Sequence, residues 1–520
     1  MTDTITRLSE VRKRRERVQG GVDPALESSE IAEQVERLNG SYALVLVGDK
    51  ALVLREYQDE EGRPAIGFLV PASFRLYEDK NRYIEDDREV GLGELWLRHP
   101  ARRDYSGIVF APAEYRNNSF QPAAIPDGWY NLWKGYAVTP APFYPNHREH
   151  VRHFRTFADH ILQNVAGGDP ALARYIWGWF AHMIQRPTER LGVALVLRGK
   201  QGTGKTTPGD IIGSLLGEHY CLIDHPEHLV GKFNPHMVKC LFLQADEGFW
   251  AGDKTAEGRL KGLITSRAHM VEKKGVDPVS IRNYIHLMVT SNNAWVVPAG
   301  LEERRWVVLD VGSGRMQDRA YFSRMYEEMD NGGREHLLAF LLRTDLSRVN
   351  LTDLPKTAAL FEQKVASMSE VQSWWFERLR DGCLLEADHT WKREIPSKTL
   401  YASYVTYADK LGKGRKLSRE QFGMQLSDLM PSGFRRNQKI WQDVYDIDPT
   451  SGTRIAAINA DGSKSRTRVN GYHIPDLEAC RAHLCQLVRY TIEWGDEGEN
   501  EPDNGGCTDE VTDEDYGYLA

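Results

Sequence analysis

The stretch Gly199-Lys-Gln-Gly-Thr-Gly-Lys-Thr206 meets the pattern G-x-x-x-x-G-K-[ST] at every fixed position. Before it, Val193-Ala-Leu-Val-Leu197 is an apolar run of strand length. After it, Ile211, Ile212, Leu215 and Leu216 recur at helical spacing. Pro208 stands in the first helical turn, where a missing N–H is tolerated. The loop therefore joins a strand to a helix. In that context Gly199, Gly202 and Gly204 let the backbone wrap a polyphosphate, and the helix N-terminus adds partial positive charge. Gly199, Lys200, Gln201, Gly202, Thr203, Gly204, Lys205, Thr206 and Thr207 form the expected nucleotide cradle. Lys205 reaches the β and γ phosphates, and the Thr206 hydroxyl holds Mg²⁺.

Downstream, Leu241-Phe-Leu-Gln-Ala-Asp246-Glu247 is an apolar strand ending in two carboxylates. Beside a phosphate loop, Asp246 is expected to complete the Mg²⁺ shell and Glu247 to act as general base. The competing reading is an acidic turn after a buried strand. A further strand, Ile285-His-Leu-Met-Val-Thr290, leads into Ser291-Asn292-Asn293, where the Asn292 amide is placed to sense a γ-phosphate. Glu302-Glu303-Arg304-Arg305-Trp306 precedes the next strand, and either arginine is a candidate finger onto a neighbouring subunit's nucleotide. The alternative is an ion pair within the chain. Lys273 and Lys274 stand at the apex of a turn before Gly275 and Pro278, placed to grip a single-strand backbone.

Composition is that of a globular chain: 520 residues, 41% hydrophobic and 27% charged. No apolar run approaches the roughly 20 residues of a membrane helix, and the N-terminus lacks a signal-peptide apolar segment. Six scattered cysteines fit a reducing compartment. Cys480 and Cys485 flank His483, but no second ligand pair follows, so buried thiols are expected rather than zinc. The net charge is −8, yet about eleven acidic residues and no Lys or Arg fall between Glu493 and Ala520. The rest is mildly basic and compatible with DNA binding.

These features divide the chain into a basic or disordered arm (1–30), a mixed α+β N-terminal region (31–145) and a helical subdomain (146–190). An ATPase core (191–345), a helical linker (346–399), a winged-helix-like DNA-binding module (400–492) and an acidic disordered tail (493–520) follow. In the N-terminal region, Tyr42–Val47 and Ala51–Leu54 flank Gly48-Asp49-Lys50 and predict a hairpin. No Asp-x-Asp pair stands on a strand there, so primer synthesis by this chain is not expected.

The set Gly199–Thr206, Asp246-Glu247, Lys273-Lys274, Thr290-Ser-Asn292 and Arg304-Arg305, packed within a short span, resembles superfamily 3 helicases of the phage and prophage primase-helicase type. Tyr130-Asn-Leu-Trp-Lys-Gly-Tyr136 and Glu303-Arg-Arg-Trp306 look like that group's text. The resemblance implies an α/β fold with an AAA+ parallel-sheet P-loop core. It further implies ATP and Mg²⁺ as ligands and a hexameric ring translocating 3′-to-5′ on single-stranded DNA in the bacterial host cytoplasm. The lysine loop then lines the ring's channel. A separate primase or polymerase is a further expected partner. The function expected on this resemblance is a replicative DNA helicase, the alternative a DNA-binding loader or packaging ATPase that does not unwind.

Overall fold

A computed structural model describes residues 24–494, apart from 61, 63, 81, 86–87, 226–227, 229–233, 247–253, 274–275, 387, 413–415 and 448–453. Most of the expected basic arm, nearly all of the acidic tail, Glu247 and Lys274 lie outside the described residues, as does the side chain of Lys273.

At the centre is a five-stranded sheet in the order Tyr220–Ile223, Phe242–Asp246, His286–Ser291, Ala194–Arg198, Trp306–Asp310. Every neighbouring pair runs parallel. Parallel strands are covered on both faces, which is why these segments read as continuous apolar runs. Side chains alternate along the strand, so Leu195 and Leu197 enter one core while Ala194 and Val196 enter the other. The first core is closed by helices Pro170–Gln185 and Thr207–Leu216, the second by Lys254–Thr265 and Ala358–Ala366. Helix Pro170–Gln185 starts where the sequence prescribes. Asp169 accepts from the N–H groups of Ala171 and Leu172, and Pro170 occupies the first turn. It then buries Trp177, Trp179 and Phe180.

The N-terminal region forms a four-stranded sheet in the order Pro64–Leu69, Lys50–Gln58, Tyr42–Val47, Asp104–Tyr105. The expected hairpin is present: Val47 pairs with Lys50 across Gly48-Asp49, and Gly48 takes a φ of +63°. One continuous hydrophobic core runs from Ala43 in this sheet to Leu351. His219 joins the two parts. It stacks on Trp133 at 4.5 Å, accepts from the Lys134 N–H at 3.0 Å through Nε2, and donates from Nδ1 to the Lys239 carbonyl.

Residues 370–494 build a separate core around Trp374, Trp375, Tyr404 and Phe422. Its helices Glu370–Asp381 and Arg419–Ser427 both open with capping boxes, Ser369 with Gln372 and Ser418 with Gln421. Helices Ser397–Lys410 and Arg419–Ser427 lie within the span 397–427 of this unit. Strand Arg466–His473 pairs with Glu394–Pro396 on one side and Arg435–Asp443 on the other.

The expected fold class needs correction. The described residues form a mixed α/β molecule with eight separate sheets, of which the parallel one is a single component. Its likeness over most of its length is to a solved fold reported below, and not to an AAA+ core carrying a winged helix. The physical reason is that periodicity and a loop motif specify individual strands and helices. They do not specify which layers share a core. Here strands before residue 110 pack into the same core as the loop-bearing sheet.

Candidate nucleotide site

The loop leaves strand Ala194–Arg198 at its carboxyl end, between strands His286–Ser291 and Trp306–Asp310, where open α/β sheets present ligand-binding groups. Gly202 and Gly204 take φ values of +82° and +80°, a region closed to most side chains. A Cβ at Gly204 would also come within 2.5 Å of the Phe322 ring and 2.8 Å of the His160 ring. The loop is braced internally by Thr203 Oγ1 donating to the Lys200 carbonyl at 2.9 Å. It is tied outward by Gln317 N–H donating to the Gly202 carbonyl at 2.9 Å.

Lys205 is only 5% exposed, and its ammonium donates to Asn292 Oδ1. Asn292 follows directly on strand His286–Ser291. Asp246, at the end of the adjacent strand, accepts a hydrogen bond from the Thr290 hydroxyl. Lys205 and Thr206, Asn292 and Asp246 therefore lie at the carboxyl ends of three adjacent strands of the sheet. A cleft of about 700 Å³ opens there, lined by Gly202, Lys205, Thr206, Arg319, Phe322 and Tyr326 among others. Such an arrangement can hold a polyanion, with Lys205, Arg319 and Thr206 all lining the cleft beside the glycine-rich loop.

Arg304 and Arg305 are placed differently. They precede strand Trp306–Asp310, and the Arg305 carbonyl accepts from Ala194 N–H at the start of the loop-bearing strand. Both thus stand at the opposite edge of the sheet from their own chain's loop, roughly 16 Å away for five strand residues. Arg305 folds onto the buried Glu303 at 3.0 and 3.1 Å, and Glu303 also accepts from the N–H groups of Arg304 and Arg305. Arg304 is exposed. Lys273 ends strand Ala268–Lys273, paired in register with Val276.

Other residues at the site escaped the sequence reading. Within the turn His160–Val165 the helix widens to π geometry, Ala166 N–H donating to the Ile161 carbonyl. This turn carries His160 and Asn164. His160 Nε2 donates to the Gly204 carbonyl at 3.1 Å, and the Asn164 amide donates to His160 Nδ1 at 3.0 Å. Burial lowers the His160 pKa to about 4, so the imidazole that holds the loop is neutral. Gln244 is fully buried, donates to the Thr206 carbonyl at 3.3 Å and accepts from the Tyr220 hydroxyl. The Asp210 carboxylate lies 3.0 Å from the same hydroxyl and shares its single proton with Gln244, and burial raises the Asp210 pKa. No sequence motif marks His160, Asn164 and Gln244, because they act on the loop from distant positions in the chain. Replacing Asn164 with leucine should leave His160 Nδ1 without its donor. The expected cost is about 1–3 kcal/mol, read as a drop in melting temperature together with weaker nucleotide binding.

The chain is a mixed α/β protein whose parallel sheet carries a glycine-rich loop, and comparison with known proteins places it further. Residues 197–305 match the model of a family of unknown function, DUF5906. A DNA primase-polymerase of Nitratiruptor phage NrS-1 is 26% identical over 205 residues, covering 38% of this chain and 28% of that protein. The chain thus matches less than a third of the length of this relative. Among solved structures, the apo form of the NrS-1 C terminal region (305–718) superposes with a TM-score of 0.56 at 16% identity. It covers 84% of this chain and 97% of its own length. A second form of the same region gives 0.53, also at 16% identity, over 84% and 98%. At this identity the likeness is one of fold.

These relatives overturn the expectation drawn from the motif set. The resemblance to superfamily 3 helicases, the AAA+ assignment, the ATP-hydrolysing replicative helicase with its loader or packaging alternative, and the exclusion of primer synthesis are all corrected. The motifs describe how phosphates are gripped, and that chemistry is shared by proteins doing unrelated work. Among the described residues, no helix is long and apolar enough to cross a membrane, and no group of three or more His, Cys, Asp or Glu is placed to hold a metal ion.

Proposed function

We propose that this chain is a phage DNA-replication protein of the primase-polymerase kind, and that its loop cleft binds a nucleoside triphosphate with Mg²⁺. The observation that carries the reading is the meeting of Lys205, Thr206, Asn292 and Asp246 at one sheet edge in a chain related to a DNA primase-polymerase. In this reading the glycines and Thr207 shape the cradle, Lys205 binds the terminal phosphates, and Thr206 with Asp246 holds the metal ion. Asn292 orients the Lys205 ammonium. ATP is the expected triphosphate. Single-stranded DNA is the template partner, met by Lys273 and Lys274, and the setting is the bacterial host cytoplasm. Self-association into a ring gives the exposed Arg304, or Arg305 released from Glu303, a phosphate to reach on a neighbouring copy.

The test is template-directed oligonucleotide synthesis by the full chain on single-stranded DNA, with labelled nucleotides and Mg²⁺. Calorimetric titration of ATP runs alongside. Template-dependent product and saturable ATP binding are expected. ATP binding without template-dependent product would overturn the primer-synthesis reading, and no ATP binding would overturn the site.

A further inference from the structure

In the unit spanning 370–494, strands Arg435–Asp443 and Arg466–His473 form a long antiparallel ribbon. Residues directly opposite each other across such a pair share a face. Lys439 faces Asn470, Trp441 faces Arg468, and Asp443 faces Arg466. This row points to solvent, while Ile440 beside it is buried. Trp441 is 58% exposed, and the Arg468 guanidinium lies 5.2 Å from its ring centroid. Just past the ribbon, Tyr445 on the next short strand, Tyr445–Ile447, is also open.

Asp443 is engaged by Arg466 at 2.8 Å. No carboxylate lies within salt-bridge distance of Lys439 or Arg468 among the described residues. Between residues 435 and 473 the sequence holds seven Lys and Arg against four Asp and no Glu, so this arm is basic in a chain whose net charge is −8. A large indole kept in water contributes nothing to the core behind it. Cations interleaved with exposed rings form a surface on which phosphates are neutralised and bases stack. Duplex backbone recognition uses the cations but leaves the rings without a role.

We propose that the Lys439–Trp441–Arg468 face of this ribbon is a binding platform for single-stranded nucleic acid. A base stacks on the Trp441–Arg468 pile, and the adjoining phosphates meet Lys439 and Arg468. The inference rests on the reading of single-stranded DNA as a partner and locates that contact on an arm remote in sequence from the lysine turn at 273–274.

Fluorescence anisotropy of labelled oligothymidylate and of a labelled duplex, titrated with the full chain across a salt series, tests it. Trp441→Ala should weaken single-strand binding about tenfold with an unchanged salt slope, and Trp441→Phe should restore most of the loss. Arg468→Gln should lower the magnitude of the log–log salt slope by about 0.7. ATP binding and the circular dichroism spectrum should stay as in the wild type. Single-strand affinity unchanged in both Trp441→Ala and Arg468→Gln would overturn the platform while leaving the partner reading intact. Tighter binding of duplex than of single strands, insensitive to Trp441→Ala, would assign the arm to duplex and also overturn it. Absence of single-strand binding by the wild type would remove the partner reading and the platform together.

Discussion

Lys205→Ala protein is expected to bind ATP roughly ten- to a hundredfold more weakly than wild type. A hydrogen bond to a charged group is worth about 1.5–3 kcal/mol, and each 1.4 kcal/mol is tenfold in affinity. Lys205 is held ready for that bond. Its ammonium sits almost fully buried against Asn292 at the mouth of the glycine cradle, so little side-chain freedom remains to be lost on binding. Replacing Asn292 with alanine should have a smaller effect in the same direction, because the lysine keeps its charge and loses only an orienting partner. Isothermal titration with ATP and Mg²⁺ reads both. Unchanged affinity in Lys205→Ala would mean that the cleft is not a phosphate site. The fold should survive the substitution, since the loop is separately secured through His160, Thr203 and Gln317.

Acidification is expected to destabilise the molecule well before its carboxylates titrate. Burial lowers the pKa of His160, His182 and His219 to about 4 and that of His286 to about 3. In the unfolded chain a histidine titrates near 6.5. The folded state therefore binds fewer protons than the unfolded state between these values, and stability falls as pH drops through that window. The contribution is fully present above about pH 6.5 and is lost progressively towards pH 4. At pH 5 each such residue costs about 2 kcal/mol. All four lie in the part of the chain that shares the large core. Their sum is comparable with the 5–15 kcal/mol that holds a typical domain together. Between pH 7.5 and pH 5 the melting temperature should fall by roughly 10 °C, monitored by circular dichroism. A flat profile across this range would show that these imidazoles are hydrated or partnered when protonated. His160→Phe, which removes one of the four, should soften the acid limb while loosening the loop.

The geometry of the glycine-rich loop was legible in the sequence because it is local. Gly202 and Gly204 are needed for backbone conformations that few other residues adopt, and Lys205 and Thr206 follow at a spacing that admits few other purposes. The strands around it were equally legible, since a strand covered on both faces must be apolar along its whole length. The hairpin at Gly48-Asp49 was readable for a similar reason, a two-residue turn between apolar runs.

What only the tertiary structure decided is held by contacts between residues far apart in the chain. His160 reaches Gly204 and Gln244 reaches Thr206. Arg305 turns to Glu303 at the far edge of the sheet instead of towards its own loop. The assembly of N-terminal strands and loop-bearing sheet into one core, and the fold likeness to the NrS-1 C terminal region, likewise depended on layer packing. A loop motif encodes its own backbone geometry in adjacent residues. The layers packed around it, and the work they serve, depend on side chains whose meeting no local spacing records.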